Sequence, residues 1–314
     1  MEELQGLFSL FQMPVTAYGL CVALAAGAGL LVFSLLARKK AISEKALMTF
    51  SLLCLPLGLL GARMFYCLAR LDLFLAMGIG SVLHMANGGY ALWGGIGGAV
   101  LAALIAARIG RVPTGMMLDC VAAPGALTVA LIRFAEYFSG EGYGLYVENE
   151  VFQFFPLAVS KFGDWRWAVF MLEGAAALLI FIAVFLYRQK RPGDRMRAAL
   201  ILFCASQIIL ESLRQDSFLR WEVHFIRLSE LPAVFLLAAL PVAAAIRGVK
   251  RGRGMRMATA GVYGAVFLAS VGVFIWMEFA VQKSPDLPVW ACYCIEAACC
   301  AAMGYISWRM TMKD

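Results

Sequence analysis

Nine apolar runs of about 20 residues, separated by short polar intervals, dominate this chain. A helix rises roughly 1.5 Å per residue, so each run can cross a hydrocarbon core of about 30 Å. Lipid offers backbone groups no partners, which makes helices the natural reading of such runs. The spans fall at about 15–37, 46–69, 89–107, 115–133, 167–187, 197–213, 229–246, 257–280 and 288–308. With 62% of its 314 residues hydrophobic, 15% charged and a mean hydropathy of +0.81, the chain is no soluble globular protein. The expected fold is an all-α membrane protein, a polytopic helical bundle.

Basic residues set the expected orientation. With the N-terminus outside, 18 of the 27 lysines and arginines fall on the inner side, among them Arg38, Lys39, Lys40, Arg108, Arg251 and Arg253. Eight fall outside, and Arg63 lies within a span. Inner loops retain positive charge, so an N-out, C-in topology in a bacterial plasma membrane is expected. The net charge of +7 then describes an inner rim facing anionic headgroups. No basic patch interleaves with aromatics on a soluble domain, so nucleic acid is not an expected partner. The start, MEELQGLFSLF, lacks a basic n-region, and no cleaved signal peptide is expected. The nine cysteines fall almost wholly in spans, without histidines at zinc spacing. They read as small packing residues; neither a metal, a cofactor nor a disulfide framework is implied.

The longest non-spanning stretch, 134–166, is acidic and aromatic, and reads as an outer cap or arm on the membrane surface. Residues 214–230 alternate charge with Trp221, Phe225 and Ile226, as an interfacial segment does. The basic stretch RGVKRGRGMR (247–256) marks an internal boundary. The expected organisation is a seven-span core over 1–247 and a two-span extension over 248–314.

Ionisable residues inside spans are costly, and each requires a reason. Arg63, Arg133 and Arg214 each lie about 17 or 18 residues from the inner face, at one level near the outer headgroups. Tyr18 and Trp93 begin their own spans at that level. Long basic side chains snorkel to water in any membrane protein. Three guanidinium groups at one depth also suit a phosphodiester, because the planar fork binds phosphate oxygens bidentately. Gln207, Glu211 and Arg214, at i, i+4 and i+7, share one helix face, and Glu211 and Arg214 can pair across a turn, catalytically or structurally. ALWGGIGG places Gly94, Gly95, Gly97 and Gly98 where helices or a ligand can approach closely. In IRFAEYFSGEGYG, glycines are expected to break the helix just beyond Arg133, in a segment buried in protein or lining a cavity. Asp119, about 21 Å away along the helix, reads as structural.

These residues resemble the prolipoprotein diacylglyceryl transferases. The family signature runs from an Asp through a Pro to Arg-x-Gly-Asn-Phe-x-Asn-Gly-Glu-x-x-Gly. Here Asp119 and Pro124 precede Arg133, and Gly140, Glu141 and Gly144 match, while Glu136 and Ser139 stand where the family has asparagines. Tyr18-Gly19-Leu20 is similar to the first-span YGL, Gly61-Ala62-Arg63 to GAR, and Glu211, Arg214 and Gln215 to E-x-x-R-Q. The resemblance covers about 14–247. The family's third-span His-Gly-Gly is Trp93-Gly94-Gly95 here, an arginine of the sixth span is Gln207, and the His-Pro segment before the fifth span is missing, although Glu173 falls where that region has a glutamate.

The resemblance implies transfer of the diacylglyceryl part of phosphatidylglycerol to the lipobox cysteine of prolipoprotein signal peptides, with glycerol phosphate released at the outer leaflet. It implies catalytic parts for Arg133, Glu136, Glu141, Glu211 and Arg214. Substrate-binding parts follow for Tyr18, Arg63, Trp93, Gly94, Gly95, Gly140, Gly144 and Gln207. The thiol, with a pKa of about 8.5, has to become thiolate, yet the histidine is gone. Glu136, His84 and His224 are candidate bases, or Glu136 is a salt-bridge partner of Arg133. Alternatives are a diverged member with another acceptor or lipid donor, or a non-catalytic lipid- or signal-peptide-binding protein.

Overall fold

A computed structural model describes residues 6–10, 13–78, 80, 82, 88–161, 163–215, 227, 229–250, 257–283 and 288–312. Among the described residues, nine helices are long and apolar enough to cross a membrane. The chain divides into two compact units, Met1–Glu141 with Ala177–Met196, and Gly142–Ala176 with Arg197–Asp314.

The first unit opens with an antiparallel hairpin, β1 (Gly6–Leu10) and β2 (Met13–Thr16), which leads into α1 (Ala17–Lys39). Thr16 caps α1 by accepting from the Gly19 N–H at 3.1 Å. α2 (Glu44–Ala69) starts at Ser43, whose hydroxyl donates to the Gly110 carbonyl at 2.9 Å. After the short α3 (Leu71–Met77) come α4 (Leu92–Ile109) and α5 (Thr114–Ser139). Without Cβ atoms at Gly61 and Gly94, α2 and α4 touch backbone to backbone; a Cβ on Gly94 would fall 2.6 Å from that of Phe65. Gly29 of α1 likewise lies against Thr128 of α5. Phe33 and Phe50 stack at 4.4 Å in a core completed by Ala37, Ala102, Ala106 and Met117.

α5 runs six residues past Arg133, to Ser139, rather than breaking just beyond it. The break comes at Gly140, whose left-handed φ of 71° lets its N–H close on the Glu136 carbonyl at 3.0 Å. Asp119, fully buried, accepts from the N–H groups of Gly193 (2.7 Å) and Met196 (3.1 Å). Those donors sit at the N-terminus of a later helix, where an anion is favoured, so Asp119 has the structural part expected of it.

The second unit carries a three-stranded antiparallel sheet. It comprises β3 (Tyr143–Tyr146), β4 (Ala158–Lys161) and β5 (Asp164–Ala168), in the order β3-β5-β4. The helices are α6 (Val169–Leu186), α7 (Asp194–Leu213), α8 (Leu231–Lys250), α9 (Met257–Lys283) and α10 (Val289–Met312). Two backbone bonds moor β3 to helix ends: Phe170 N–H to Gly142 (3.0 Å), and Gln215 N–H to Tyr143 (2.9 Å). Met277 and Ala280 of α9 pack on Cys292 of α10.

Candidate active site

In the first unit, α5 presents Arg133 and Glu136 one turn apart on the same helix face. Arg133 is 8% exposed and its Nη1 donates to Glu136 Oε1 at 2.5 Å. The Glu136 carbonyl accepts from both Ser139 Oγ and the Gly140 N–H, at 3.0 Å each. Of the two parts open to Glu136 from sequence, the ion-pair partner of Arg133 is the one this geometry displays. Glu141, for which the resemblance implies a catalytic part, is exposed. The left-handed turn at Gly140 carries the chain out of the helix before Glu141 is reached.

Arg63, 4% exposed on α2, is anchored to the segment between α3 and α4. Its Nε donates to the Val82 carbonyl (3.2 Å), its Nη1 to the carbonyls of Gly88 and Gly89, and its guanidinium lies 5.2 Å from the Phe74 ring centre. Trp93 is buried in the first turn of α4, and Tyr18 is half-buried in the first turn of α1. Gly94 lies in the α2–α4 contact, whereas a Cβ on Gly95 would meet Ala62 at an ordinary 3.8 Å.

In the second unit, one network joins α6 and α7. Glu173 Oε1 accepts from Gln207 Nε2 at 3.2 Å, and its Oε2 accepts from Arg214 Nη1 at 3.0 Å. Gln207 also donates to Glu211 Oε2 at 3.3 Å. All four side chains are buried, at 3 to 8% exposure. The i, i+4, i+7 stripe therefore faces protein, as its polarity required, and Glu173 is its counterpart on α6. Gly144 is a packing position, because a Cβ there would lie 2.8 Å from Val169 Cγ2 and 3.0 Å from the Leu213 carbonyl.

Glu173 and Arg227 were absent from the site expected from sequence. Arg227 donates to the Glu211 carbonyl and lies 3.8 Å from Glu230. Glu173 had a readable signal, as a lone carboxylate within an apolar span; Arg227 had none beyond its place in an outer charged segment. His84 and His224 lie outside the described residues.

Chemically, each unit offers a buried guanidinium steadied by a carboxylate, a charge able to receive a phosphate in a site of low dielectric. A family model described as prolipoprotein diacylglyceryl transferase matches residues 5–246. Similar relatives include a phosphatidylglycerol–prolipoprotein diacylglyceryl transferase 1 of Clostridium perfringens, 25% identical over 79% of this chain and 97% of its own. A transferase of the same description from Finegoldia magna is 27% identical, covering 74% of this chain and 91% of its own. One from Streptococcus pneumoniae is 28% identical, covering 70% and 85%. The match takes in every element from α1 to α7 and both arginine sites; this multi-pass membrane protein belongs to the prolipoprotein diacylglyceryl transferase family.

Proposed function

We propose that this protein transfers the diacylglyceryl group of phosphatidylglycerol to the cysteine thiol of prolipoprotein signal peptides. It acts at the outer leaflet of the bacterial plasma membrane, with its N-terminus outside and its C-terminus inside. The observation that carries the reading is Arg214, buried yet held by Glu173, in a chain of this family. The cysteine sulfur attacks the glycerol carbon that bears the phosphate. A sulfur–carbon bond forms, the carbon–oxygen bond to phosphate breaks, and glycerol phosphate departs with the electron pair. The thiol proton passes to a base or to the departing phosphate.

Arg133 and Arg214 compensate the phosphate charge as it develops, the largest contribution a rigid polar site makes to such a step. Glu136 and Glu173 hold these guanidinium groups in place. Arg63 acts indirectly, by fixing the loop that leads into α4 and hence Trp93 and Gly95. Glu141 and Glu211 take further catalytic parts, and Tyr18, Gly140 and Gln207 substrate-binding parts, as the family resemblance implies. The core over 1–247 carries the reaction.

Incubating the purified protein with phosphatidylglycerol vesicles and a lipobox peptide should yield a thioether-linked diacylglyceryl peptide by mass spectrometry. An unmodified peptide, with the lipid intact, would remove thiol transfer. Because Trp93 and Gln207 stand where the family has histidine and arginine, the same assay should include hydroxyl and amine acceptors, whose modification would mark a branch with a changed acceptor.

A further inference from the structure

Helix α10 lies beyond the residues matched by the family, yet its polar side chains are built into α7 and α8. Gly304 allows close approach to Ala205 of α7, where an added Cβ would lie 3.0 Å from that of Ala205. Ser307 Oγ donates to the Leu237 carbonyl of α8 at 2.6 Å. Glu296, fully buried at 0% exposure, places Oε2 3.1 Å from Ser212 Oγ. Ser212 directly follows Glu211 and stands two residues before Arg214.

Hydrogen-bond accounting locates a proton here. Ser212 Oγ also lies 2.8 Å from the Ile209 carbonyl, one turn back on α7. A serine hydroxyl has a single proton, and a carbonyl can only accept. Both contacts are satisfied together when Ser212 donates to Ile209 and the Glu296 carboxyl donates to Ser212. The other oxygen, Glu296 Oε1, is buried and has no hydrogen-bond partner among the described residues. A carboxylate left with an unsatisfied negative oxygen in an apolar span would be far more costly than one neutral acid.

We infer that Glu296 is a positioning residue for the transfer reaction: a neutral carboxylic acid in the C-terminal extension that donates to Ser212 and holds the last turn of α7, which carries Glu211 and aims Arg214. Arg227, donating to the Glu211 carbonyl, secures the same turn. The inference rests on the transferase reading above, and extends the working protein beyond the residues that the family model matches.

The test uses full-length Glu296→Ala, Glu296→Gln and Ser212→Ala proteins. Glu296→Ala and Ser212→Ala should lower kcat about tenfold or more, while KM for the lipid stays within about twofold. Glu296→Gln, neutral and of the same shape, should return kcat to within about threefold of the wild type. Infrared difference spectra, wild type minus Glu296→Gln, should isolate one protonated-carboxyl stretch distinct from that of Glu230, and this band should shift in Ser212→Ala. That readout needs no turnover, so it survives even if Glu296→Ala does not fold. Full kcat in Glu296→Ala, equal loss in Glu296→Gln, or a wild type without the band would each overturn the inference. A wild type that shows the band but transfers nothing would instead overturn the transferase reading.

Discussion

Arg214 and Glu173 form a buried ion pair of 3.0 Å across 41 residues of sequence, joining the end of α7 to α6. Neither charge would be tolerated at this depth alone, and each is the reason the other can stay. Arg214→Ala should therefore lower kcat/KM by about 10²–10³-fold, the usual worth of one charge-stabilising donor. Arg214→Lys should also be poor, because an ammonium cannot reproduce the two-point contact of the guanidinium fork. Glu173→Gln removes the negative charge that Arg214 meets at 3.0 Å and should destabilise the protein by about 3 kcal/mol. Product by mass spectrometry and thermal unfolding in detergent read out the two effects; near-full activity in both arginine variants would end the phosphate assignment.

The glycines of α4 separate by function. Gly94 has no room for a side chain, since an added Cβ would meet Phe65 and the Gly61 backbone, whereas a Cβ on Gly97 would meet nothing within 4 Å. Gly94→Val should cost about 1–3 kcal/mol or more of stability through overpacking. Gly97→Ala should change it by no more than about 0.5 kcal/mol, as open positions do. Unfolding curves for the two variants check this directly, and equal stabilities would contradict the close α2–α4 approach.

Glu230 gives stability a pH dependence. Burial pushes its carboxyl well above the ordinary 4.5, with Glu278 the next contributor; Arg227 opposes, and Glu211 adds to the rise. A carboxyl whose folded-state pKa is raised is held neutral in the folded protein while the unfolded chain ionises. Its stabilisation is therefore complete below about 4.5 and is lost as pH rises toward the folded value. Wild-type stability should fall across that interval, and Glu230→Gln, permanently neutral, should flatten the fall. A Glu230→Gln protein with an unchanged pH profile would place the dependence elsewhere.

Much of this was legible in the chain because lipid permits few solutions. Length and apolarity alone located the nine spans, and the cost of burying Arg133 and Arg214 made both conspicuous. The sheet over 143–168 was not legible. Its strands are four or five residues long, and their pairing depends on mooring to α6 and α7 rather than on local pattern. The exposure of Glu141 escaped for a similar reason, because one left-handed residue at Gly140 decides it. Partner choice also lay beyond sequence: Arg214 meets Glu173 of a neighbouring helix, a contact that exists only after packing. Glu296 did have a signal, as a lone carboxylate in the run ACYCIEAACC, and in-span charges of the extension warrant the same scrutiny as those of the core.

The missing histidine gives the sharpest test. Glu136 is within 2.5 Å of Arg133, and its backbone carbonyl closes the end of α5, so its visible work is structural. Glu136→Gln keeps the shape and one hydrogen bond but removes the charge that balances Arg133. If Glu136 is a brace, this change should lower thermal stability or lipid affinity and reduce kcat less than about tenfold. If it is the base that takes the thiol proton, kcat should fall by about 10²–10⁴-fold. Trp93→His is the complementary variant. Trp93 is buried at the start of α4, in the position where the family carries its histidine, and the smaller imidazole needs no new space. A brace at Glu136 leaves the thiol proton to His84, His224 or the departing phosphate, and Trp93→His, by adding an imidazole where the family carries its own, should raise the rate of lipobox-thiol transfer. A Trp93→His protein no faster than the wild type, beside a Glu136→Gln protein slowed by two orders of magnitude or more, would assign the proton to Glu136 and reverse the brace reading.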